Sequence, residues 1–149
     1  MESSTTVEIN ADIATVWDAV GNPETWPAWD PQVKGVTPAS PGSAPGVGSE
    51  YAVDGGWLNQ QQVTIVDYRP RESMSISAKT TDGRFRFDYV LEPRVDGPLV
   101  ARLTMASEDV SSTLSSIVGA FGYDMALSAL ANSLRDHCEA QSPRDPELR

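Results

Sequence analysis

The chain has 149 residues, 40% apolar and 21% charged, a balance that excludes a disordered polymer and fits a folded protein with one sizeable core. Asp and Glu outnumber Lys and Arg by 21 to 11, and the net charge of −10 sets the average field against nucleic-acid backbones and anionic membranes. That field leaves neutral or weakly charged small molecules as the expected partners, and the single cysteine, Cys138, excludes an intramolecular disulfide.

The opening MESSTTVEIN has no basic stretch followed by an apolar run, so no leader is expected. Within it Thr5, Val7 and Ile9 alternate onto one face and predict a short strand. Asn10 has N-cap chemistry for a helix in ADIATVWDAV, where Ile13, Val16, Trp17 and Val20 form one apolar stripe ended by Gly21. Asn22 and Pro23 predict the cap and first residue of a short helical turn, PETW, broken by Pro27 and Pro31 before a second strand in QVKGV. Residues 37–49, rich in proline and glycine without periodicity, predict a long loop.

Strands then repeat. EYAVD, WLNQQQVTIVDYR, ESMSISAKT, RFRFDYVLE and LVARLTMAS are separated by tight turns, among them an Asp-Gly hairpin in TDGR. In the fourth, Phe85, Phe87, Tyr89 and Leu91 face one side while Arg84, Arg86, Asp88 and Glu92 face the other, the signature of a sheet with one wet face. Residues 111–141 are helical in composition and would span roughly 45 Å. Leu114, Ile117, Val118, Phe121 and Met125 share one side, and Leu127, Leu130, Leu134 and Cys138 lie almost opposite. A kink or break is expected near Gly119 and Gly122. The fold class is therefore α+β: a curved antiparallel sheet of about six to seven strands around a long C-terminal helix, with two short helices after the first strand. Residues 1–141 are expected to form one domain and 142–149 a flexible tail. A sheet wrapped around one helix leaves a gap between them, the natural ligand site.

Patches in VEINADIATVWDAVGNPETWPAWDP, PGVGSEY, VTIVDYRPRESMSI and ALANSLRDHCEA, in that order, resemble the SRPBCC or START-like helix-grip superfamily. Its members include lipid-transfer domains and the polyketide cyclase/dehydrase family. The resemblance spans residues 5–141 and implies the helix-grip fold. If the protein is an enzyme, it implies cofactor-independent cyclisation or dehydration of a reactive polyketone. No catalytic motif is carried over residue by residue, so the catalytic residues stay open.

Several side chains invite a functional reading. Trp26 and Trp29, three apart, either anchor one element to the next or form a ligand wall, and packing is the commoner role of such rings. Trp17 belongs to the core stripe, and Trp57 stands near the expected cavity mouth. In the amide run 59–62, alternation puts one pair on the helix side, Asn59 and Gln61 or Gln60 and Gln62; Asn59 and Gln61 share their set with Trp57, Val63 and Ile65 and are the expected pair. Tyr51 and Tyr89 face inward, and Tyr123 lies at the switch of the long helix. Glu50, Asp54 and Asp124 are the acids nearest the expected mouth and read as solvated surface. His137 and Cys138 are adjacent on a helix and cannot face one ligand together; with no phosphate-cradling loop or dinucleotide fingerprint, no metal or organic cofactor is expected.

The cavity lining is expected at Tyr51, Trp57, Asn59, Gln61, Phe85, Phe87, Tyr89, Leu103, Ile117, Phe121 and Met125. The function expected is binding of a hydrophobic, aromatic or polyketide-like small molecule, with or without its cyclisation or dehydration. The alternatives are a non-catalytic carrier of an apolar metabolite or lipid, and a protein-interaction module. The ligand readings require a void of several hundred Å³. No nucleic-acid partner and no membrane span are expected, the location is expected to be cytoplasmic, and the protein a monomer or homodimer.

Overall fold

A computed structural model describes residues 2–55, 60–81, 83–110 and 112–141, with the side chains of 109, 110 and 112–123 excepted. Strand β1 (Glu2–Ile9) leads through Ala11 into α1 (Ile13–Val20) and a 3₁₀ helix (Pro23–Ala28). Six further strands follow: β2 (Val33–Pro38), β3 (Glu50–Gly55), β4 (Gln61–Arg69), β5 (Ser73–Thr80), β6 (Gly83–Glu92) and β7 (Leu99–Val110). The helix α2 (Ser112–Gln141) comes last. All seven strands form one antiparallel sheet in the order β1-β7-β6-β5-β4-β3-β2, the helix-grip arrangement expected.

The local chemistry explains most boundaries. Asn22 accepts the Glu24 N–H at 3.1 Å, and Pro23 starts the 3₁₀ helix where no N–H donor is needed. Gly21 ends α1, its N–H donating to the Trp17 carbonyl at 2.7 Å. The expectation that Asn10 caps α1 is corrected. The helix begins at Ile13 behind Asp12, whose side chain makes no capping bond, and the Asn10 N–H instead meets the Glu139 carboxylate of α2 at 2.8 Å. Buried Ala11 separates strand from helix and moves the start two residues on.

Alternation places Tyr51, Val63, Ile76, Ala78, Phe87, Tyr89, Leu103 and Met105 on the buried face. Two irregularities adjust it. A bulge between Ile65 and Asp67 leaves Val66 42% exposed and re-aims Tyr68 inward, where its ring meets that of Trp17 at 5.3 Å. A second bulge, between Val33 and Gly35, lies opposite Gly55. Helix α2 runs unbroken across Gly119 and Gly122, so the expected break is absent. Its Leu127, Ala131, Leu134 and Cys138 form one buried stripe, and it packs chiefly on β1, then on β7 and α1.

Candidate functional site

The turn WPAWDP builds one wall of the interior. Trp26 and Trp29 follow the 3₁₀ helix inward and are almost wholly buried. Their indole N–H groups donate to the carbonyls of Val20 (3.3 Å) and Ala19 (2.9 Å), two of the acceptors that the end of α1 leaves unpaired. The ring of Trp26 lies 6.3 Å from that of Tyr89 on β6. The two tryptophans are therefore anchors, and they are walls as well.

What they enclose is a narrow cavity of about 30 Å³. Its lining is Trp26, Trp29, Asp30, Val33, Val53, Gln61, Ile76, Phe87, Tyr89 and Leu130. Such a volume admits one or two waters. Among the described residues this space falls far short of the several hundred Å³ expected between sheet and helix.

Three polar groups break the apolar lining. Asp30 accepts the Gln32 N–H at 3.0 Å, and its place is fixed by backbone bonds from its own N–H to the Trp26 carbonyl (2.8 Å) and from the Val33 N–H to its carbonyl (3.1 Å). Burial raises its carboxyl above the ordinary range, while the N–H groups of Gln32 and Val33 pull the other way. Tyr89 is held protonated by its burial, then by the nearby Asp30 charge. Gln61 supplies an amide. A fixed acceptor, a persistent donor and an amide thus surround aromatic walls, an arrangement suited to orienting a carbonyl or hydroxyl.

Of the lining expected from sequence, Gln61, Phe87 and Tyr89 meet in this cavity. Phe85 and Leu103 are buried in the sheet core outside it, and Tyr51 lies away from it. Burial raises the Tyr51 phenol first, a bond with Ser49 lowers it, and Glu24 and Tyr68 raise it again. Met125 is 63% exposed, which corrects its assignment: it is two residues before Leu127, so a helix turns it about 200° from the buried stripe. Trp57 and Asn59 lie outside the described residues, as do the side chains of Ile117, Phe121 and Tyr123 and the tail 142–149. Asp30 escaped the sequence reading; its signal was a carboxylate directly after a buried tryptophan and before a proline.

Larger hollows lie elsewhere. One of about 640 Å³ opens at the ends of β3 to β5, sharing Val53 and Gln61 with the cavity and otherwise lined mostly by exposed polar residues such as Gln62 and Lys79. It has no aromatic ring among its described lining residues and does not reach the half-buried Asp30. Among the described residues no three metal-ligating side chains converge, and no helix is long and apolar enough to cross a membrane.

A family model described as polyketide cyclase / dehydrase and lipid transport matches residues 1–138. No curated protein matches the chain in sequence. Among solved structures, a START superfamily protein from Mycobacterium smegmatis superposes with a TM-score of 0.72 at 18% identity, over 95% of this chain and 99% of that one. Ginseng major latex-like protein 151 from Panax ginseng gives 0.73 at 14% identity, over 93% and 97%. The di-domain ARO/CYC BexL of the BE-7585A biosynthetic pathway gives 0.70 at 18%, over 93% of this chain and 50% of that one. At these identities the likeness is one of fold.

Proposed function

The chain belongs to the polyketide cyclase / dehydrase and lipid transport family, and from that membership we propose that residues 1–141 form one unit binding a hydrophobic, aromatic or polyketide-like small molecule between sheet and α2. The observation that carries this reading is the convergence of Trp26, Trp29, Phe87 and Tyr89 on a space that also receives Asp30 and Gln61. Rings supply area for an apolar body, and a few polar groups set its orientation. At about 30 Å³ the space is smaller than such a ligand, so binding includes the displacement of a wall side chain.

If turnover accompanies binding, the pocket folds a polyketone chain and excludes water while the Tyr89 hydroxyl polarises a carbonyl for aldol closure: the enolised carbon attacks it, the α-proton given up ends on the new hydroxyl, and that hydroxyl then leaves with a second α-proton as water. A carrier role is the second reading. Native mass spectrometry of freshly purified protein, followed by tryptophan-fluorescence titration with any co-purified compound, tests binding. A Tyr89→Phe variant then separates the readings: as an enzyme it loses turnover with binding retained, whereas a carrier changes affinity alone. Absence of bound ligand together with no fluorescence response to aromatic compounds would remove the proposal.

A further inference from the structure

A second hollow, a surface groove of about 60 Å³, lies between Asp30, Pro31 and Gln32 on one side and Ala126, Ala129, Leu130 and Ser133 of α2 on the other. The helix residues fall at i, i+3, i+4 and i+7, a single face, and three of the four are small. Leu130 is the one bulky side chain among them. It is half-buried against the core, and together with Asp30 it lines both the groove and the inner cavity. Groove and cavity thus adjoin, with Leu130 and Asp30 common to both linings.

We propose that this groove is the entrance to the ligand cavity, that Leu130 is the side chain that swings aside, and that Asp30 selects uncharged ligands carrying a hydroxyl, such as phenols and enols, over carboxylates. The inference rests on the ligand-binding reading above and adds a route and a selectivity to it. A leucine needs only a rotamer change to clear a path, and the alanines around it leave room on the helix side. The backbone of Asp30 is pinned by the bonds to Trp26 and Val33, and its carboxyl is held by the Gln32 N–H, so the group is positioned before a ligand arrives. A hydroxyl passing it donates a hydrogen bond. A carboxylate brought within about 4 Å meets a like charge in a partly desolvated site, where repulsion is several times stronger than in water. Tyr89, a donor deeper in the cavity, complements an oxygen that has already passed the threshold.

The test uses the full chain at about pH 8, above the ordinary carboxyl range, with phenol, benzene and benzoate as probes followed by NMR titration and exchange. The wild type is expected to bind phenol at least about tenfold more tightly than benzoate. Asp30→Asn, close in shape and without the charge, should bring benzoate to within about threefold of phenol. Leu130→Ala should raise the exchange rate of phenol and benzene about tenfold or more while keeping the rejection of benzoate. Equal binding of phenol and benzoate by the wild type, or unchanged rejection in Asp30→Asn, would overturn the selectivity; an unchanged exchange rate in Leu130→Ala would overturn the route. In each of those outcomes ligand binding itself stands. If no probe binds the wild type or Leu130→Ala, the binding proposal falls along with this one. The Leu130→Ala readout does not depend on how well the Asp30 variant folds.

Discussion

Asp30 carries a cost that can be measured without any ligand. Burial raises its carboxyl above the ordinary value of 3.8, so the fold prefers the protonated form. A group with a raised native pKa supports the fold below its unfolded value, and that support is lost as pH rises through the native value. Asp30→Asn should therefore melt above the wild type near pH 7, with a difference that shrinks as pH falls toward 3.8. Thermal melts across that range check it, and a pH-independent difference would refute it. Gly55 is constrained more sharply. Its φ is +94°, and a Cβ there would sit 2.2 Å from the Gln32 carbonyl oxygen, an atom of the backbone that cannot step aside. Gly55→Ala should cost more than about 2 kcal/mol in denaturant unfolding, whereas Gly42→Ala, also at positive φ but in open space, should cost about 1 kcal/mol. Equal costs would show that conformation, not the clash, dominates.

Between elements, stability rests on a few cross-links. The indoles of Trp26 and Trp29 tie the 3₁₀ helix to the end of α1, and Trp29→Ala should lose about 3–5 kcal/mol. Near-native stability with ligand binding abolished would make the ring a contact rather than an anchor. Buried Ser3 on β1 donates to the carboxylate of Asp124 on α2. A double-mutant cycle of Ser3→Ala and Asp124→Ala in urea unfolding should give a coupling of about 1–2 kcal/mol; additivity would mean that other contacts hold the helix in place. These links explain what sequence reveals and what it conceals. The strands were legible because Phe85, Phe87 and Tyr89 alternate strictly against charged neighbours, and the long helix because it lacks internal breakers other than glycine. Half of the site was not, because Asp30 and Leu130 lie about a hundred residues apart and nothing local marks their meeting. Met125 was misplaced because its apolar character says nothing about which helix face turns inward, and nothing in the sequence marks the bulge that turns Tyr68 toward Trp17.

Over the whole molecule, charge works against cohesion. A net charge of −10 spread over a small protein repels itself, and the four ion pairs among the described residues are all solvent-exposed pairs of small worth. Screening should therefore help the fold: raising NaCl from about 0.02 to 0.5 M is expected to raise the Tm. A fall would mean that the ion pairs outweigh the general repulsion. The order of the sheet has a consequence for biosynthesis. Strand β1 finds its partner in β7, with Glu2 opposite Ala106 and Ile9 opposite Leu99, so β1 is synthesised well before the strand it pairs with. Until then β2 to β6 can assemble as successive hairpins, while β1 stays without its neighbour. Closing so long a loop is entropically expensive and slow, and for that time the unpaired edge is open to pairing with another copy.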